Sequence, residues 1–207
     1  MKQVAFFGSI GVGKTTAGNK ACELYQNVQF LAEDLSENPF LPDFYADMKK
    51  WGFHSSVAML ALMSSYYQKM DLSKDVIILD NGVQELIAYT MLECDMDILS
   101  KEEFFVYKKL YDNIVGLLPK IDLFVYFICD EKEALRRIEQ RGRSFEADLD
   151  LTFLSKLNQK YRDFVATLPK EKVIVVDTTN NYDLAELMRQ IGNKINYEFK
   201  LKGLLRN

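Results

Sequence analysis

The chain predicts a three-layer α/β/α fold built on a five-stranded parallel sheet. Three observations carry that reading. Four apolar segments beyond the first are continuous rather than alternating, as suits strands buried on both faces. Stretches with helical spacing separate them. A glycine-rich turn directly follows the first apolar segment. With 207 residues, 48% of them apolar, the chain can bury one sizeable core. No repeat, low-complexity tract or Pro/Gly/Ser linker interrupts it, so residues 1–207 are assigned to a single domain.

The first strand is read at Val4-Ala5-Phe6-Phe7, and Gly8-Ser9-Ile10-Gly11-Val12-Gly13-Lys14-Thr15-Thr16 follows it. The spacing is that of G-x-x-x-x-G-K-[ST], a phosphate-binding loop. Its glycines let the backbone curl so that successive N–H groups face phosphate oxygens. Lys14 reaches the β- and γ-phosphates and Thr15 ligates Mg²⁺. The helix expected from Thr16 to Leu24 adds the partial positive charge of its N-terminus. A turn of purely structural use has no need of a Lys-Thr pair, so ATP or another nucleoside triphosphate is the expected ligand.

The remaining strands are read at Val28 to Ala32, Asp75 to Asp80, Asp122 to Ile128 and Lys172 to Asp177. Ligands of open α/β sheets lie at the C-terminal strand ends. That rule selects Glu33-Asp34, Asp80-Asn81, Asp130-Glu131 and Asp177 to Asn180. Carboxylates there can supply a general base and Mg²⁺ ligands, although for Asp130 a helix N-cap is the simpler reading. Two insertions of about 40 residues, before Asp75 and after Asp80, carry Leu, Met, Phe and Tyr at helical spacing. Helical hairpins beside the sheet are expected. Trp51, Phe53, Tyr66, Tyr67, Phe104, Phe105, Tyr107 and Tyr111 within them read as core or subunit contacts before base-stacking groups. His54, the only histidine, reads as a packing or surface residue before a catalytic one.

The segment Leu135-Arg136-Arg137-Ile138-Glu139-Gln140-Arg141-Gly142-Arg143-Ser144-Phe145-Glu146 places several guanidinium groups around a helix end and a glycine. By itself such a run can be a solvated basic face. Together with a phosphate loop it reads as a lid, about 137–147, whose Arg forks close over a migrating phosphoryl group. The net charge of -4 argues against a general nucleic-acid binder. With no signal pattern and no run of about 18 apolar residues, neither secretion nor a membrane partner is indicated, and the cytoplasm is the expected compartment. Cys22, Cys94 and Cys129 are widely spaced, as expected of reduced thiols rather than of a zinc site.

These residues resemble the deoxynucleoside kinase family, especially its bacterial deoxyadenosine/deoxyguanosine kinase branch. The phosphate loop has the family's form, and Glu33 to Asp47 resembles its second motif and the following helix. Arg137 to Glu146 resembles its lid, and Asp150 to Tyr161 the helix after it. The resemblance implies transfer of the γ-phosphate of ATP to the 5′-hydroxyl of a nucleoside. It gives Glu33 the role of general base, which suits a carboxylate in a loose transition state. It gives Tyr45 and Glu146 the sugar 3′-hydroxyl, Arg137, Arg141 and Arg143 the donor phosphates, and Asp80 a part in organising Mg²⁺. It also implies a homodimer formed through the helical insertions.

The chain departs from that pattern at four places. An Arg and a Ser usually follow the acidic residue of the third strand, with the Arg near the transferred phosphate; here Asn81 and Gly82 follow Asp80. Ser56 stands where a Gln, and Met63 where an Arg, usually faces the nucleobase, and Leu86 replaces a frequent Asp. A base-reading site without those bidentate groups loses several kcal/mol of discrimination. A nucleoside whose base is read by other groups is the first expectation. A thymidylate kinase-like monophosphate kinase and a catalytically degenerate nucleotide-binding protein are the alternatives. The monophosphate reading lacks a cation for the acceptor phosphate, since Asn81 removes the candidate Arg, and Glu33 would repel a dianionic acceptor.

Overall fold

The structure, a computed structural model, describes residues 1–143, 146, 149–180 and 182–200. Five strands, β1 (Lys2–Phe7), β2 (Val28–Leu31), β3 (Val76–Asp80), β4 (Leu123–Ile128) and β5 (Val173–Asp177), form one sheet in the order β2-β3-β1-β4-β5. Every pairing is parallel, with Val4 beside both Ile78 and Leu123 in the centre. Among the described residues eight α-helices connect or flank the strands: α1 (Lys14–Leu24), α2 (Leu41–Ala46), α3 (Met48–Ser65), α4 (Leu86–Asp95), α5 (Lys101–Leu117), α6 (Glu131–Arg141), α7 (Leu151–Ala166) and α8 (Leu184–Phe199). Residues 144, 145 and 147 of the expected lid and 201–207 of the basic tail lie outside the described residues.

The continuous apolar runs follow from burial on two sides. Val4, Phe6, Val76, Ile78, Val125 and Phe127 meet Ala17 and Ala21 of α1 and Met188, Ile191 and Ile195 of α8. Their neighbours Ala5, Phe7, Ile77, Leu79, Phe124 and Tyr126 face the other way, onto Ala88 and Leu92 of α4 and Leu157 and Tyr161 of α7. Successive strand residues point to opposite faces, so a polar residue at either parity would be buried without a partner. β5 departs from this pattern. As an edge strand it buries Ile174 and Val176 but leaves Val175 55% exposed.

The two insertions do not form separate hairpins. α3 packs against both α4 and α5, and Leu60, Met63, Tyr66, Val83, Ile87, Tyr107 and Tyr111 make one shared cluster. Local signals set most helix starts: Asp47, Asp130, Asp150 and Asp183 accept backbone N–H bonds in the first turns of α3, α6, α7 and α8. Ser100 and Glu103 form a reciprocal capping box on α5. None of the described helices is long and apolar enough to cross a membrane.

α1 starts differently, at Gly13 in the left-handed conformation and without a side-chain cap. Its first-turn N–H groups therefore face the end of the sheet unmasked by any side chain. Gly8 is the tightest point of the turn: φ is +136° and a Cβ there would lie 2.2 Å from the Phe127 carbonyl oxygen. Gly8→Ala is expected to cost about 3 kcal/mol or more. Thermal melting should register that as a fall in Tm of roughly 6–12 °C.

Candidate active site

A cavity of about 550 Å³ opens at the C-terminal ends of β1, β2 and β3 and runs between α3 and α4. The phosphate loop forms one part of its wall through Gly8, Ile10, Gly11, Gly13, Lys14, Thr15 and Thr16. Gly11 and Gly13 have φ of 81° and 92°, which an L side chain adopts only under strain. Lys14 Nζ donates to the carbonyls of Gly8 (2.7 Å) and Ser9 (2.9 Å), which hold the ammonium inside the curl. Ser9 and Val12 contribute backbone only: both side chains are buried, Val12 in the core beside α1.

Glu33 and Asp80 face this loop. Thr15 Oγ1 donates to Asp80 Oδ2 at 2.5 Å, and Asp80 Oδ1 is buried with no hydrogen-bond partner among the described residues. Burial raises the Asp80 pKa against the pull of Lys14. Glu33 receives the Asn81 side-chain amide at 3.1 Å. Burial, reinforced by the charge of Asp80, pushes its pKa up to about 7, with Lys14 and Asn81 opposing. Asn81 itself has φ of 56°, a left-handed conformation that Asn tolerates better than most residues. The short amide at the position where the resemblance leads one to expect an Arg thus holds the carboxylate expected to act as base.

The other acidic strand ends divide by role. Asp34 accepts from Ser36 N and so caps a short 3-10 turn, Asp130 caps α6, and Asp177 accepts from Thr179 N. None of the three lines the cavity.

The arginine segment supplies another wall. Arg137 donates to the Thr178 carbonyl at 2.6 Å and to Glu133 at 2.8 Å, which fixes its guanidinium at the loop side. Gly142 ends α6 at φ 66°, and beyond it Glu146, only 5% exposed, receives three Arg141 bonds of 2.6, 2.7 and 3.2 Å and an Arg143 contact of 3.5 Å. Tyr45 also lines the cavity; burial first, then the charges of Glu146 and Glu93, push its hydroxyl up to about 12.

Ser56 lies where expected, on the cavity wall of α3, and Leu86 faces it from α4. Met63 does not line the cavity. It is 2% exposed in the cluster shared by α3, α4 and α5, a position that suits an unbranched apolar side chain. His54 is exposed and packs edge-on to Trp51, away from the cavity. Several lining residues carry no expectation from the sequence: Glu85, Tyr89, Thr90 and Glu93 on or just before α4, and Met59 on α3; Tyr107 on α5, read as core before base-stacking, also lines the cavity. Leu86, Tyr89, Thr90 and Glu93 follow i, i+3, i+4, i+7 spacing, so the stripe was readable. Glu93 is the one carboxylate of that stripe, and α4 carries a second, Asp95, outside it.

A phosphate loop, a carboxylate near neutrality beside it, and a second half of the cavity walled by helices define a P-loop phosphotransferase with a small-molecule acceptor. The sequence model described as "Deoxynucleoside kinase" matches residues 4–197. The chain belongs to the deoxynucleoside kinase family. It is 31% identical to the deoxyguanosine kinase of Bacillus subtilis over 84% of this chain and 85% of that protein. It is 26% identical to the deoxyadenosine kinase of Dictyostelium discoideum, over 94% of this chain and 79% of that one. Among solved structures, the deoxyadenosine kinase from M. mycoides with bound dATP superposes with a TM-score of 0.80 at 26% identity, covering 94% of this chain and 99% of that one.

Proposed function

We propose that this protein transfers the γ-phosphate of a nucleoside triphosphate, ATP first among them, to the 5′-hydroxyl of a deoxynucleoside. The observation that carries the reading is the placement of Glu33. It stands between the phosphate loop and the helical half of the cavity, where its carboxylate can accept a hydroxyl proton. Lys14 and the loop amides hold the β- and γ-phosphates, and Arg137, Arg141 and Arg143 neutralise charge that spreads over the transferred group. Tyr45 and Glu146 hold the sugar 3′-hydroxyl, with Arg141 and Arg143 fixing the Glu146 carboxylate.

Mg²⁺ fits the residues present. The orphaned Asp80 Oδ1 and the neighbouring Thr15 hydroxyl are the pair that would hold the ion, directly or through its waters. When bound, it offsets phosphate charge; the proton and the acceptor are handled by Glu33 and the sugar-binding pair. A homodimer through the helical insertions also suits the surface. Val106, Leu110 and Leu117 recur along α5 at spacings of four and seven, and with Phe105 they are exposed, Leu117 by 87%.

The acceptor half speaks against a nucleoside monophosphate. Among the described residues the cations lining the cavity are Lys14, Arg137, Arg141 and Arg143, none of them on α3 or α4. A dianionic acceptor would meet Glu33 instead. ADP formation from ATP measured against a panel of deoxynucleosides and their monophosphates tests this: the nucleosides should be consumed, and consumption of monophosphates alone would overturn it.

The reaction should also follow the Glu33 titration. A base must be ionised, so kcat/KM should climb with pH through about 7 and level off above it. A pH–rate profile flat from pH 5.5 to 8.5 would remove Glu33 from that role.

A further inference from the structure

The helical end of the cavity lacks the Gln, Arg and Asp that commonly read a base, yet it is not featureless. Glu93 comes from the last turns of α4 and faces the cavity. Ser56 Oγ donates to its Oε2 at 2.5 Å, tying it to α3. Among the described residues it has no ion-pair partner, and Ser56 is the one group that favours its charge against burial. A carboxylate placed in an apolar wall with one hydroxyl partner has acceptor capacity to spare, since each of its oxygens takes two hydrogen bonds.

The surrounding hydroxyls leave the site rich in acceptors. Ser56 gives its proton to Glu93, and Thr90 gives its own to the Leu86 carbonyl at 3.0 Å. Ser55 accepts from Asn38 at 3.0 Å and donates to no partner among the described residues. The Tyr89 hydroxyl also lines the cavity as a donor, so a ligand edge that suits this end presents adjacent N–H donors to a carboxylate and its acceptors to hydroxyls.

We propose that Glu93, oriented by Ser56, selects the base of the acceptor and favours guanine. The Watson–Crick edge of guanine carries two neighbouring donors, N1–H and N2–H, that match the two carboxylate oxygens; its O6 needs one donor, which Ser55 can provide. Adenine and cytosine offer an amino group beside a ring acceptor, which a carboxylate repels, and thymine flanks its single N–H with two carbonyls. The inference rests on the nucleoside kinase reading of the same cavity and names its substrate class.

Steady-state kinetics of the full chain with the four common deoxynucleosides, for the wild type, Glu93→Gln and Ser56→Ala, tests it. Wild type should favour deoxyguanosine by about 10-fold or more. Glu93→Gln, whose amide presents one donor and one acceptor, should lower kcat/KM for deoxyguanosine by roughly 100-fold and shift preference toward deoxyadenosine or deoxycytidine. Ser56→Ala, which frees the carboxylate to rotate, should lower the guanine preference by about 10-fold. An unchanged Kd for ATP shows that the variants are folded. Turnover without guanine preference, or an equal loss for every nucleoside in the variants, would overturn the role of Glu93 and leave the kinase reading intact. No turnover of any nucleoside by the wild type would overturn both.

Discussion

Lys14→Ala should lower kcat/KM by at least about 10³-fold while the protein still folds. The ammonium is held by two loop carbonyls and by no acidic partner among the described residues, so its removal leaves no buried carboxylate newly stranded in an ion pair. What disappears is the positive charge closest to the transferred phosphate, where one preorganised donor is worth about 10²–10³ in rate and a full charge more. A second effect follows from position. Lys14 holds down the pKa values of both Glu33 and Asp80. In the variant, residual activity should need a higher pH than in the wild type. Steady-state kinetics across pH, with thermal melting as the folding control, measures both effects. A variant within 10-fold of wild type would show that the loop does not seat the donor phosphates.

Glu33→Gln is the second large effect. The amide keeps the shape and can still bond to Asn81, but it cannot take a proton. A positioned base contributes about 10²–10⁴-fold, so kcat should fall by that range. ATP binding should stay within a few-fold, because the Glu33 side chain makes its hydrogen bond to Asn81 and none to the loop among the described residues. The rise of kcat through about pH 7 should vanish with it; kcat with saturating nucleoside is the diagnostic quantity, because burial also pushes Glu93 at the other end of the cavity up to about 7. Loss of ATP affinity in step with kcat would mean that Glu33 supports the loop rather than the chemistry. Pre-steady-state measurement of nucleotide binding beside turnover separates the two.

Much of this site was legible in the chain because its chemistry is local. The phosphate loop occupies nine consecutive residues whose glycines and Lys-Thr pair have one common use, and the strands announce themselves by apolar runs closing on Glu33 and Asp80. Caps such as Ser100 and Asp130 were readable for the same reason. The acceptor end was harder, since α3, α4 and α5 build it from side chains far apart in sequence. Met63 was placed at the base by its position in a motif, yet another turn of α3 carries it into the inter-helix core. Nothing local separates Glu93 from Asp95 on the same helix, and only tertiary packing puts it opposite Ser56. The arrangement of Arg141 and Arg143 on Glu146 was equally invisible: spacing brings the charges near each other but does not say which carboxylate they hold. Asn81 shows the limit from the other direction. As a missing Arg it reads as a loss, whereas in the fold its amide holds Glu33 and its backbone occupies a left-handed turn.

The most direct test of the central claim follows the phosphorus atom. The protein is incubated with Mg²⁺, ATP labelled at the γ-phosphate and a deoxynucleoside that it consumes, and the products are identified by chromatography and mass. The account predicts label in a deoxynucleoside 5′-monophosphate, formed in equal amount to ADP and at least about 10²-fold more slowly with Glu33→Gln. Label appearing only as inorganic phosphate, or equal product from the Gln variant, would contradict it.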